Sequence, residues 1–175
     1  MPSPSKTKGS RHEREVADIL SGWWGSGEGS FRRVPNSGAL RWNGAAWTYG
    51  DVYGPEDFVA VVECKFYSEL AFQSPWLEEG KGTLLGWWSQ ACNDAHRART
   101  ETRRDLFPIL IFRQNRVAPF LALPQTIADN LPVSSIVRVD VKPKNRNAMS
   151  IFRLSEWLQC VTKDTLLGAD RTWSP

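Results

Sequence analysis

In FVAVVECKFY, residues 58–67, a run of strand-forming apolar residues carries one carboxylate, Glu63, and one amine, Lys65. Side chains alternate along a strand, so Phe58, Ala60, Val62, Cys64 and Phe66 share one face, and Val59, Val61, Glu63, Lys65 and Tyr67 the other. Glu63 and Lys65 are therefore neighbours, about 6–7 Å apart along the strand, on a surface that Val59 and Val61 must bury. Charges in that position are costly unless something compensates for them.

Asp51 lies twelve positions before Glu63. Tyr49–Tyr53, a turn at Gly54-Pro55-Glu56-Asp57 and the strand 58–67 read as a hairpin. Two carboxylates brought together repel each other unless a divalent cation lies between them. Carboxylate oxygens with some retained water suit magnesium. Lys65 would then orient a water or counter charge developing on a phosphate, which together describes metal-assisted phosphodiester cleavage. Asp57, six positions before Glu63, is the rival acid, but it falls within the turn. A tight hairpin sets Asp51 opposite Ala60, so pairing it with Glu63 requires a bend or bulge.

A helix is expected from Ser10 to about Leu20, with Val16, Ile19 and Leu20 supplying its apolar spacing. Glu13 shares the stripe of Val16, Ala17 and Leu20, so it is a third carboxylate aimed towards the sheet; Glu15 fits that stripe less well. A second long helix, from about Leu84 to Thr102, aligns Leu84, Trp88, Ala91, Cys92 and Ala95. Strands follow at 108–113, 118–123, 136–141 and 151–153, with a helical turn after Pro124 and a short helix from Ser155. Residues 1–8, MPSPSKTK, read as a disordered basic leader and 9–175 as a single domain, one mixed sheet with helices on its faces.

Net charge is +3 overall but uneven. Lys and Arg against Asp and Glu number 7 against 4 in residues 1–50, 4 against 8 in 51–100, and 8 against 4 in 101–150. An acidic centre with basic flanks suits a protein that holds a polyanion around a cation. Three cysteines and two histidines, spread along the chain, argue against a disulfide framework or a zinc centre. GSGEGS (25–30) lacks the flanking strand and helix of a phosphate cradle, and EEGKGT (78–83) lacks the Ser or Thr after Gly-Lys, so no nucleotide cofactor is expected. No Gly-x-Ser-x-Gly elbow accompanies a histidine. Absence of an apolar run of about 20 residues excludes a helical membrane span and leads us to expect a cytoplasmic protein.

KGSRHERE (8–15), FRRVPNSG (31–38), GDV (50–52) and VVECK (61–65) resemble, in order, the landmarks of the PD-(D/E)XK nucleases, and among them the archaeal and bacteriophage Holliday junction resolvases. WWSQACNDA and PILIFRQNR are similar to the phage-type branch. The resemblance implies a restriction-endonuclease-like α/β/α fold and a homodimer that cuts four-way DNA junctions symmetrically with Mg2+, or Mn2+ in its place. By the same resemblance Glu13, Asp51 and Glu63 hold the metal and Lys65 is the catalytic lysine. Lys8, Arg14, Arg32, Arg33 and Ser37 would contact DNA, and Gln90 would approach the cleft from the second long helix. Gly50 stands where the family's name has proline. Other PD-(D/E)XK functions, in repair, genome processing or restriction, share these landmarks, as would a non-catalytic DNA-binding module on the same fold. Trp42 and Trp47 fit a wedge against DNA, a dimer contact or their own core. The basic runs HRARTETRR (96–104) and VKPKNRN (141–147) fit either a solvated face or a phosphate-binding edge.

Overall fold

The computed structural model describes residues 4–25, 27, 29–34, 49–67, 82–144 and 146–173. The expectations for Ser37, Trp42 and Trp47 lie outside the described residues. Among these residues twelve elements follow in chain order: α1 (Pro4–Trp24), β1 (Arg32–Arg33), β2 (Val52–Tyr53), β3 (Ala60–Tyr67), α2 (Thr83–Thr102), β4 (Phe107–Gln114), β5 (Phe120–Pro124), α3 (Gln125–Ala128), β6 (Val139–Val141), β7 (Met149–Arg153), α4 (Leu154–Cys160) and α5 (Lys163–Gly168).

A seven-stranded sheet in the order β1-β2-β3-β4-β5-β7-β6 forms the centre. Among the described residues only β3 and β4 pair in parallel, joined through α2; the other neighbours are antiparallel. A parallel pair needs a long crossover, and α2 supplies it. On the even-numbered face of β3, His12 of α1 meets Phe66 with ring centroids 5.9 Å apart. On the odd-numbered face, Trp87 of α2 meets Tyr67 at 5.7 Å. The sheet is thus sandwiched between α1 and α2, the mixed α/β/α arrangement expected from the pattern of elements. Among the described residues no helix is long and apolar enough to cross a membrane.

The helices differ from the sequence reading in three ways, and the strands β2, β3 and β6 are shorter than expected. Helix α1 starts at Pro4, so it takes in residues 4–8, which composition assigned to a leader; proline is well suited to a helix's first turn, where its missing N–H costs no hydrogen bond. It also runs through Gly22 to Trp24, because tertiary packing outweighs the low helix propensity of glycine. Trp24 stacks edge-on against Phe58 at 5.1 Å, and the Trp23 indole donates to the Val161 carbonyl at 2.7 Å. Helix α5 was not anticipated, although its start is signalled by Thr162, whose hydroxyl caps the Thr165 N–H at 3.2 Å.

The turn between β2 and β3 is held by aromatic packing. Phe31 packs on Phe58 at 4.8 Å, and a Cβ on Gly54 would lie 2.4 Å from the Phe31 ring, which is why glycine stands there. Asp57 is consumed in this turn. It accepts from the Trp24 indole at 3.2 Å and pairs with Lys163 at 2.5 Å, and these partners hold its carboxyl below the usual range, the Lys163 bond most of all.

Candidate active site

The register of β2 on β3 decides which acids meet. The ladder holds one pair, Val52 opposite Val62, rather than the Asp51–Ala60 alignment of a tight hairpin. Gly50 sets this up. It adopts φ +74°, and a Cβ there would fall 2.4 Å from the Val62 carbonyl oxygen. Proline, locked near φ −65°, has no access to that conformation, which explains its replacement. The Asp51 N–H then donates to the Val62 carbonyl at 2.8 Å, and its own carbonyl accepts from the Val34 N–H at 2.9 Å. Its Oδ2 accepts the Cys64 N–H at 2.9 Å. The required bend is therefore present, and it carries the Asp51 carboxylate across β3 to the backbone beside Glu63.

Glu63 is only 2% exposed. Its Oε1 accepts from Lys65 Nζ at 2.5 Å and from Gln90 Nε2, on α2, at 2.7 Å. Burial pushes the Glu63 carboxyl up to about 8, the neighbouring Asp51 charge adds to the rise, and Lys65 opposes it without cancelling it. Burial works against the charge of Lys65, yet Glu63 overcomes this and raises the amine above its ordinary range. Asp51, Glu63, Lys65 and Gln90 are thus brought together.

Glu13 belongs to the opposite layer. It rises from α1, on the Cys64 side of β3, and forms a short ion pair with Arg33 of β1. Its side chain is 12% exposed, so it does not face open solvent. Arg32 donates to the Gly29 carbonyl at 2.9 Å and is otherwise exposed, as are Arg14 and Lys8. Glu15, on the same helix, bridges Arg113 and Arg11, both at 2.9 Å. Among the described residues no group of three or more acidic, histidine or cysteine side chains stands close enough to enclose a metal ion.

Two donors do fit a hard cation. Asp51 Oδ1 and Glu63 Oε2 have no hydrogen bond among the described residues, while the second oxygen of each carboxylate is engaged by protein donors. Two buried carboxylates, each anchored through one oxygen and presenting the other, match an ion that takes oxygen ligands and retains water. Sequence reasoning passed over Asp94, four residues beyond Gln90 on α2. It is buried, pairs with Arg97, and its charge also favours the neutral form of Glu63. Its spacing of four from Gln90 was the available signal, since such residues share a helix face.

Comparison with known proteins adds a family. No curated protein and no solved structure matches the chain. A family model described as "Phage putative PDDEXK endonuclease" matches residues 4–167, nearly the whole chain and both acids of the cleft, and the protein belongs to that family of phage-type PD-(D/E)XK nucleases.

Proposed function

We propose that the chain is a metal-dependent DNA endonuclease whose reacting centre is built from Asp51, Glu63 and Lys65. One observation carries this reading: two buried, mutually repelling carboxylates each leave an oxygen without a hydrogen bond among the described residues, with an ammonium 2.5 Å from Glu63. A divalent cation held by Asp51 and Glu63, Mg2+ with Mn2+ as its substitute, would supply Lewis-acid activation of a phosphodiester. Lys65 orients the attacking water or counters charge on the phosphate oxygens. Gln90 and Lys65 engage Glu63 Oε1, which would leave Oε2 to hold the cation. Glu13 is the third acid of the proposal. It pairs with Arg33 on the α1 side of β3, and a substrate phosphate would share that guanidinium.

For the substrate we propose the four-way DNA junction. Support comes from the ordered residue blocks 8–15, 31–38, 50–52 and 61–65, which resemble junction resolvases. Resolution needs nicks in two strands related by symmetry, hence a two-fold homodimer. The test is cleavage of an end-labelled junction and a matched linear duplex, with Mg2+, with Mn2+ and with chelator. Paired symmetric nicks confined to the junction and abolished by chelator are expected. Equal cutting of the linear duplex would overturn junction selectivity and leave a general endonuclease. Metal-independent cutting would overturn the roles of Asp51 and Glu63.

A further inference from the structure

The basic run that closes α2 stands apart from this cleft, and its arginines have different fates. Arg97 is paired with Asp94. Arg99 donates to the Trp173 carbonyl, pairs with Asp105 at 3.1 Å and lies over the Trp173 ring at 5.6 Å. Arg104 donates to the carbonyls of Glu56 and Phe58, the latter at 2.8 Å. Arg103 is exposed and has no ion pair or side-chain hydrogen bond among the described residues. Arg99, Arg103 and Arg104 line an open pocket of about 500 Å³ with Asp105, Thr172 and Trp173.

Among the described residues three guanidiniums here face one lining carboxylate. A helix C-terminus attracts cations within its last turn, where Arg99 and the C-cap Arg103 stand, but Arg104 lies beyond it. The backbone carbonyls that pin Arg99 and Arg104 use only part of each five-donor fork, which leaves further N–H groups at fixed positions. Trp173, 5% exposed, has an indole N–H buried without an acceptor among the described residues. Arg103 sits at φ +55°, a left-handed conformation that glycine or asparagine normally fills at a helix end, and strain of this kind collects at binding sites. The end of α2 that carries the pocket is also tied to the segment that carries Asp51, because Tyr49, two residues before Asp51, donates to Glu101 on the last turn of α2.

We propose that this pocket binds a backbone phosphate of the DNA substrate. From Gln90 to Arg103 is thirteen residues, about 20 Å along the helix or roughly six base steps of duplex. The pocket therefore fixes the direction in which a duplex arm leaves the cleft and the minimum length of that arm. The substrate class rests on the nuclease reading above; the anion chemistry of the pocket does not.

Arg103→Gly tests this without unfolding the protein, since glycine is at ease at that φ and the side chain has no partner among the described residues to lose. Binding of the full chain to labelled DNA hairpins is measured in chelator, with stems of about 4 and about 20 base pairs and over a range of salt. On the long stem the variant should bind about fivefold more weakly and its salt dependence should fall by about one counterion. On the short stem both proteins should bind alike, and the variant should melt no lower. Equal affinities on the long stem would overturn the proposal. So would a variant that loses binding of inorganic phosphate, titrated alone, while keeping its affinity for DNA, because the pocket would then serve a free anion. A wild-type protein that needs Arg103 to bind the long stem yet never cuts DNA would uphold the pocket and overturn the catalytic reading.

Discussion

Strands β3 and β4 run parallel and in register, with Glu63 opposite Leu110 and Lys65 opposite Phe112. Both strands lie in the middle of the sheet, and Glu63 is as thoroughly buried as Leu110, at 2% and 0% exposed. Removal from water stabilises the fold at Leu110 and opposes it at Glu63. Equivalent positions on adjacent strands have thus been put to different uses. The β4 side, continued by Leu121, Ala122 and Leu123 on β5 and by Ile151 and Phe152 on β7, is apolar and holds the sheet together. The β3 side carries a buried carboxylate that weakens the fold, a cost that the proposed role of Glu63 as a cation ligand explains.

Paired substitutions break this comparison if it is false. Glu63→Gln should lower DNA cleavage by roughly 10³-fold while the melting temperature stays level or rises, as measured by single-turnover kinetics and thermal unfolding. Its counterpart, Leu110→Ala, should cost about 3 kcal/mol of stability by denaturant unfolding, with activity lost only in proportion to the unfolded fraction. A smaller effect should mark the backbone that joins the two carboxylates. Gly50→Ala forces a Cβ against the Val62 carbonyl at φ +74°, and we expect about 2 kcal/mol of destabilisation together with loss of cleavage as Asp51 is displaced. Gln90→Ala, which frees Glu63 Oε1 from one donor, should reduce cleavage about tenfold with little change in stability. Were Leu110→Ala to abolish cleavage in fully folded protein, the division between the two strands would fail.

What the sequence revealed follows from where the controlling forces lie. Strand β3 and helix α2 carry periodicities of two and 3.6, so burial of one face writes them plainly into residues 58–67 and 84–102. The β4–β5 hairpin announced itself by two apolar runs around Gln114-Asn115-Arg116, and Leu110 does pair with Ala122. The neighbourhood of Glu63 and Lys65 followed from alternation alone. The β2 register did not, because it depends on a positive φ at Gly50 and on the Asp51 bonds to Val62 and Cys64, none of which has a periodic signature. Nor did the Glu13 partner. Its stripe correctly pointed inward, but the layer it serves depends on which face of β3 receives α1, and local pattern does not encode that choice. The end of α1 was missed because Trp23 and Trp24 find their partners far along the chain, at Val161 and Phe58.

Thermal stability of the wild type and of Glu63→Gln, measured from pH 5 to pH 8 with and without Mg2+, tests the central claim most directly. A carboxyl raised from its ordinary 4.5 to about 8 favours the folded state while protonated, and that contribution is lost as pH climbs through this window. Without divalent ions, wild type should therefore match the variant near pH 5 and fall progressively below it towards pH 8, and Mg2+ should restore wild type alone. Parallel curves for the two proteins at every pH, or an equal gain from Mg2+ in both, would contradict a buried Glu63 carboxylate kept for a cation.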